Sequence, residues 1–393
     1  LMQMIFASHQ IGANPSQIRR MLLVLHGIAP FTECFPPRPD PRRYPPRRLL
    51  AVTACAVVAR RSSNAMRCKR VERVALVGGT HGNELSGVHL VRSLLRQPGQ
   101  FQDFGSLEID CLPANEAAIA SCQRFVDTDL NRCFSQSKLR SCDVPDTYEW
   151  RRAREINERI GPRFSLAAAD VCIDLHNTTS NFGCGIIITH TSSPSLHWKL
   201  QLCDYLRRTV PKVHILLDSL GDCSEEPFLP LVAKNDLTFE VGPQAHGTLV
   251  SEVFWNQRRL VFQALDFLER FNTNKLSEEE RSEKTLEVFI QQGAVHYPTR
   301  SDGSLRALIA EELQGMDFQI LRPGDPIFQD LDTKEMIRFD EPECYPVFIN
   351  EAAYLSSGIA FQKTLRFELK IPRLEEDGSL STIDLPSIDA LMQ

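Results

Sequence analysis

Residues 73–84 read Arg73-Val-Ala-Leu-Val-Gly78-Gly-Thr-His81-Gly-Asn-Glu84. Positions 74–77 are all apolar, two of them valine, and a glycine pair closes the run. That is the signature of a buried strand. A histidine just past such a strand sits on a tight, glycine-flanked turn. Glu84, three residues on, opens the next helical pattern and swings back toward the same point, where the helix dipole also favours a carboxylate. His81 and Glu84 are therefore candidate metal ligands. Taken alone, such a pair is more often a turn hydrogen bond or part of a solvated face.

Outward from this stretch, strands and helices alternate. Residues 83–97 predict a helix with Leu85, Val88, Val91, Leu94 and Leu95 on one face. A strand follows at 107–112, then a charged amphipathic helix at 148–160 that Gly161-Pro162 ends. Strands at 169–175 and 185–189, a helix at 196–209, a strand at 237–241 and a long helix at 253–271 complete the series. The pattern predicts an α/β architecture with a mostly parallel sheet flanked by helices. Residues 273–284 read as a polar linker. Beyond it, short strands at 285–291, 305–310, 326–328, 347–349 and 364–370 predict a smaller β-rich C-terminal domain. The expected division is 1–70, 71–272, 273–372 and an acidic, frayed tail over 373–393, with no internal repeat.

The chain of 393 residues has room for two domains, and 42% apolar against 24% charged residues is ordinary for a soluble globular protein. The net charge of −6 argues against a nucleic-acid partner. Residues 1–70 carry +10, which leaves −16 on the remainder. The Pro- and Arg-rich run at 36–48 cannot build a core, so 1–70 is expected to be a disordered basic extension. It reads either as an organelle transit peptide or as translated upstream sequence, since the first residue is Leu1. Twelve cysteines scattered without any C-x-x-C spacing suggest reduced thiols in the cytoplasm. The longest apolar run, 49–59, falls short of the roughly 18–20 residues that a membrane span needs.

Three further motifs bear on chemistry. Asp174-Leu-His176-Asn-Thr-Thr begins at the C-terminal end of a predicted strand, where open α/β sheets bind ligands. Asp174 and His176 are two apart and share one face, so His176 can be a third metal ligand while Asp174 holds a ring N–H. The alternative is a capped strand end that Asp174 merely satisfies. Two histidines and one carboxylate leave an open position, as catalytic zinc sites do. Glu240 lies inside the apolar strand Leu237-Thr-Phe-Glu-Val241, where a charge is costly unless paired or functional. It reads as a general base, or else as half of a salt bridge to Lys234. Finally, 122–132 brings Arg124, Asn131 and Arg132 together in an irregular segment able to grip an anion, or simply forms a surface loop.

Five motifs together resemble the aspartoacylase and aminoacylase-3 branch of the zinc carboxypeptidase-like hydrolases. They are G-G-T-H-G-N-E at 78–84, D-x-D-L-N-R at 127–132, D-L-H-N-T-T-S-N at 174–181, E-V-G-P-Q at 240–244 and Y-P-V-F-I-N-E-A-A-Y at 345–354. They run in family order and span roughly 73–367. The resemblance implies one zinc ion per subunit on His81, Glu84 and His176, with Glu240 as the proton shuttle. It assigns Arg124 to the scissile carbonyl and its oxyanion, and Asn131, Arg132 and Tyr354 to the substrate's α-carboxylate. It further implies a C-terminal domain capping the active-site channel, a homo-oligomer (dimer or tetramer), and peripheral association with membranes.

Departures from the pattern point to the substrate. Aspartate-specific members resemble one another in placing an Arg ten residues before the base and a Lys four after the tyrosine. Here those positions are Pro230 and Gly358, and the upstream loop reads Glu225-Glu226-Pro-Phe228-Leu-Pro230. A dianion would be left poorly paired there. The resemblance therefore favours N-acyl aromatic amino acids and N-acetyl-cysteine conjugates (mercapturates) as substrates over N-acetyl-aspartate, with Phe228 as an apolar contact.

Overall fold

The computed structural model describes residues 70–141, 145–189, 196–218 and 223–374. The basic head before Arg70 and the acidic tail after Leu374 lie outside them. Twelve strands are described: β1 (Arg73–Gly78), β2 (Glu108–Pro113), β3 (Val171–Asn177), β4 (Gly183–Ile188), β5 (Val213–Leu217), β6 (Asp236–Gly242), β7 (Lys284–His296), β8 (Ala307–Ile309), β9 (Pro326–Asp330), β10 (Met336–Arg338), β11 (Tyr345–Val347) and β12 (Ile359–Ile371). Nine of them form one sheet in the order β11-β12-β7-β5-β4-β6-β3-β1-β2, and β10-β9-β8 form a small second sheet.

Strands β2, β1, β3 and β6 run parallel. β4 enters antiparallel to β6, and β5 and β7 then follow parallel to β4. The fold is thus α/β with a mostly parallel sheet and a β-rich C-terminal part. The sheet does not stop at residue 272, because β7 bonds to β5 through Leu216–Phe289 and Leu217–Ile290. β5 was not foreseen: five residues that follow a helix within a few positions leave too short a period to read.

The four longer helices are α1 (Leu85–Arg96), α2 (Tyr148–Ile160), α3 (Leu196–Thr209) and α4 (Ser251–Asn272). The alternation of β1 divides the core between the two faces of the sheet. Val74 and Leu76 pack into a cluster with Leu90, Leu94, Leu206 and Leu265 from α1, α3 and α4. Ala75 and Val77 face a second cluster with Trp150, Ala153 and Ile156 of α2. The buried stripe of α1 is Val88, Leu90, Val91 and Leu94, whereas Leu95 is exposed. The expected face was therefore rotated by about one position.

One face of the sheet is closed by three helices. On the other, α2 covers the β2-β1-β3 side, while Phe182, Phe289, Phe318 and Phe348 cluster over Leu216 on the β5-β7 side. The strip between them is left as a cavity floor. His176, Glu240, Ile187 and Leu216 from β3, β6, β4 and β5 all project there.

Candidate active site

Two glycines let His81 reach this floor from the end of β1. Gly79 has φ = 75°, a left-handed conformation that side chains resist. A Cβ on Gly82 would lie 2.1 Å from the Ala118 carbonyl carbon, so only glycine allows the turn to pack against the short helix Glu116–Ser121. Glu84 is the N-cap residue of α1 and lies just before its first turn, yet its side chain caps nothing. It turns inward instead, and its Oε2 accepts the Asn177 N–H at 3.0 Å.

His81 Nδ1 lies 2.6 Å from Glu84 Oε1, and His176 Nδ1 lies 2.9 Å from Glu84 Oε2. The two Nδ1 atoms are 3.2 Å apart. All three residues are buried, and their ligand atoms lie within 4.8 Å of one another. The far nitrogens fix the tautomers. His176 Nε2 meets Asp174 Oδ2 at 2.9 Å, and His81 Nε2 meets Asp129 Oδ1 at 3.1 Å. Each Nε2–H donated to an aspartate leaves the corresponding Nδ1 as a lone pair. Two lone pairs and a carboxylate then converge with no hydrogen between them, an arrangement that a metal cation satisfies. Asp174 is fully buried and accepts the Thr80 hydroxyl at 2.7 Å through its other oxygen.

The segment 122–132 is no free surface loop. Buried Glu149, in the first turn of α2, accepts the backbone N–H groups of Val126 (2.6 Å), Asp127 (3.1 Å) and Thr128 (3.2 Å). So held, the segment presents Arg124 beside the metal set, with Nη1 3.4 Å from Glu84 Oε1. Asp129 fastens it, accepting from Arg124 Nε at 3.1 Å and Nη2 at 3.0 Å. Burial opposes charge on Asp129, but His81 and Arg124 hold its carboxyl far below the usual range. Asn131 is oriented by its own side-chain oxygen, which accepts the Leu229 N–H at 2.8 Å, leaving its amide N–H groups for a ligand. Arg132 lies over the Phe228 ring, 5.3 Å from its centre.

Glu240 sits level with His176 in the β3–β6 register. The salt bridge to Lys234 is not formed: Lys234 Nζ pairs with Asp170 at 2.7 Å. Burial, followed by the nearby Glu84 and Glu351 carboxylates, pushes the Glu240 carboxyl well above its usual range, even though His176 opposes this. His81, Glu84, Arg124, Asn131, Arg132, His176, Glu240 and Tyr354 all line one cavity of about 280 Å³, with Asp174 buried behind it.

Asp129, Glu149 and Glu351 were given no role from the sequence. Glu351 accepts from Thr178 Oγ1, Thr179 N (2.8 Å) and Thr179 Oγ1 (2.9 Å), tying the Tyr354 segment to the loop after His176. Only their place inside quoted motifs could have marked Asp129 and Glu351. Nothing sets Glu149 apart among the charges of its helix.

The substrate argument from Pro230 and Gly358 needs correction. Both residues are neutral as noted, but neither lines the cavity. Pro230 is buried in the short 3-10 turn Leu229–Val232, and Gly358 caps the turn Ala352–Ser357 at φ = 71°. Glu225 turns away to Ser137. The charge balance lies in the lining itself, where Arg124 and Arg132 face Glu84, Asp218, Glu240 and Glu351. With Arg132 on an α-carboxylate and Arg124 on the scissile carbonyl, the lining residues offer no third Lys or Arg for a second carboxylate. Phe228 does line the wall, with Ile187, Leu216, Phe348 and Ile359.

Residues 70–268 match the succinylglutamate desuccinylase/aspartoacylase catalytic domain, and 284–366 match the barrel-sandwich hybrid domain of the same group. Human N-acyl-aromatic-L-amino acid amidohydrolase (carboxylate-forming) is 40% identical over 306 residues, covering 77% of this chain and 93% of its own. Rat aspartoacylase is 38% identical over 307 residues, covering 76% and 94%. The crystal structure of murine aminoacylase 3 superposes with a TM-score of 0.72 at 37% identity, covering 78% of this chain and 99% of its own. Fold, cavity and sequence agree, and the chain belongs to the succinylglutamate desuccinylase/aspartoacylase family of acyl-amino acid hydrolases.

Proposed function

We propose that the chain is a zinc-dependent amidohydrolase that removes the acyl group from N-acyl aromatic amino acids and from N-acetyl-cysteine S-conjugates. The observation that carries the zinc reading is the convergence of His81 Nδ1, His176 Nδ1 and the Glu84 carboxylate. The two nitrogens lie 3.2 Å apart and each lies within 2.9 Å of a Glu84 oxygen, a buried donor set that would hold one zinc ion. Bound there, one zinc ion per subunit supplies Lewis acidity, which acidifies water toward neutrality and polarises the scissile carbonyl.

The chain's own residues do the rest. Glu240 takes the proton from the attacking water and returns it to the departing amide nitrogen, a role suited to a carboxyl whose pKa burial has raised. Arg124 faces the place where oxyanion charge develops, and Asp129 keeps its guanidinium aimed. Arg132, the Asn131 amide and the Tyr354 hydroxyl hold the α-carboxylate. Asp174 and Asp129 fix both imidazoles.

Specificity follows from charge. An aromatic side chain meets Phe228, Phe348 and Ile359, whereas a side-chain carboxylate meets Asp218 and Glu351 with no cation to spare. This favours aromatic substrates over N-acetyl-aspartate, although aspartoacylase is also a relative. All eight described cysteines are free and seven are buried, which supports a reducing compartment, the cytoplasm. Self-association and contact with membranes rest on the family resemblance, and no described helix is long and apolar enough to cross a membrane. The test is zinc content of the purified protein, followed by kcat/KM for N-acetyl-tyrosine against N-acetyl-aspartate. A metal-free active enzyme, or preferred hydrolysis of N-acetyl-aspartate, would defeat the corresponding half of the proposal.

A further inference from the structure

The cavity floor runs diagonally across the sheet, and its far end is built differently from the metal end. Thr189 lies beyond Ile188 of β4, and Asp218 lies beyond Leu217 of β5. The Ile188–Leu217 pairing sets them side by side. The Leu217–Ile290 pairing sets Asp218 next to Gln291 of β7, and β12 adds Gln362 further along, opposite Ala294 of β7. All four line the cavity, between walls of Ile187, Leu216, Phe348 and Ile359.

Two acceptors at this end have nothing to accept. The Asp218 carboxylate takes no hydrogen bond and forms no ion pair among the described residues, and Gln362 Oε1 is buried without a partner. Unpaired acceptors in a half-closed apolar space are costly, which marks them as built for a donor that arrives with a ligand. Arg132 and Tyr354, assigned above to the α-carboxylate, line the same cavity and act electrostatically on Asp218. The α-carbon carries the carboxylate and the side chain as separate branches, so a side chain laid along the apolar walls can reach this end while the carboxylate stays on Arg132 and Tyr354. In register, Asp218 lies four residues along the sheet from the level of Glu240 and two strands across, roughly 16 Å between backbones. A ring with a polar group at its far edge extends further toward Asp218 than a two-carbon side chain does.

We propose that this end of the cavity is the subsite for the tip of the substrate's side chain, and that Asp218 is a specificity-determining residue that accepts a hydrogen bond there from a phenol O–H or an indole N–H. The inference rests on the aromatic-substrate reading of the same site and deepens it. Gln362 Oε1, on β12 across β7, offers a second acceptor in the same cavity.

The experiment uses the full-length zinc-loaded protein with N-acetyl-tyrosine, N-acetyl-phenylalanine and N-acetyl-O-methyltyrosine. The last keeps the ring and removes only the donor. Wild type is expected to favour N-acetyl-tyrosine over its O-methyl form by roughly 10- to 100-fold in kcat/KM, the range for a hydrogen bond to a charged acceptor. Asp218→Ala should erase that preference, read as the ratio of kcat/KM for N-acetyl-tyrosine to those for N-acetyl-O-methyltyrosine and N-acetyl-phenylalanine. Asp218→Asn, close in shape and still able to accept, should reduce the preference part-way. It keeps the test alive if the alanine variant fails to fold. An unchanged tyrosine-to-phenylalanine ratio in both variants would overturn the inference and leave the aromatic reading intact. A wild-type enzyme that hydrolyses none of the three substrates would remove both together.

Discussion

Asp129→Asn is expected to separate geometry from charge at the metal site. The carboxylate holds four groups at once: His81 Nε2 at 3.1 Å, Arg124 Nε at 3.1 Å, Arg124 Nη2 at 3.0 Å and the Asn131 N–H at 2.9 Å. His81 and Asn131 both reach Oδ1, while Arg124 reaches only Oδ2. An asparagine can keep its oxygen at the Oδ1 position and retain the turn. Its NH2 group then faces the guanidinium, donor against donor, and Arg124 is left with Glu84 at 3.4 Å. Each charge-assisted hydrogen bond contributes about 1.5–3 kcal/mol. Part of that loss is recovered as Arg124 moves toward water, so kcat/KM should fall about 10²- to 10³-fold at saturating zinc. His81 also exchanges a charged partner for a neutral one, which should weaken zinc binding by about 10- to 100-fold. The assay is a chelator-buffered zinc titration, followed by steady-state kinetics with N-acetyl-tyrosine at full metal loading. A folded variant with wild-type zinc affinity and wild-type kcat/KM would show that Asp129 neither orients His81 nor aims Arg124.

Glu240→Gln should keep zinc but lose about 10²- to 10⁴-fold in kcat, since the shape is preserved and the proton acceptor is gone; loss of metal would instead place Glu240 among the ligands. Asp218 should make stability depend on pH. Burial pushes its carboxyl up to about 6, well above the ordinary aspartate range, so the folded state resists ionisation that the unfolded chain undergoes freely. This cost is absent below the unfolded pKa, grows as pH rises toward 6 and is full above it. Asp218→Asn should therefore gain up to about 3 kcal/mol at pH ~7.5 and almost nothing at pH ~4 in denaturant titrations; an equal gain at both would refute the assignment. Pro230→Arg with Gly358→Lys should leave the aromatic-to-aspartate ratio unchanged and lower stability, because one site is buried and the other needs φ = 71°. A clear rise in N-acetyl-aspartate turnover would show that these positions reach the substrate.

Short apolar runs at β1, β3 and β6, separated by longer helical patterns, were enough to determine the fold class, because parallel strands buried on both faces read as near-continuous apolar stretches joined by crossover helices. The candidate metal set was legible for a related reason. His81 and Glu84 share a turn, and Asp174 and His176 share one face of β3, so local spacing alone brings each pair together. Glu240 stood out because a charge inside an apolar strand demands an explanation.

What the sequence left open depended on contacts between segments far apart in the chain. Asp129 meets His81 across 48 residues, Glu149 holds a loop some 21–23 residues away, and Glu351 reaches Thr178 across 173. Each is an ordinary acid within its own segment, and only folding decides which donors surround it. The same holds for the substrate end of the cavity. Pro230 and Gly358 stood in the right motifs yet lie outside the lining, while Asp218, just past a strand too short to read, faces into it. Local periodicity assigns residues to elements and faces. Strand order and register, set by long-range hydrogen bonding and burial, then decide which of those faces meet around one substrate.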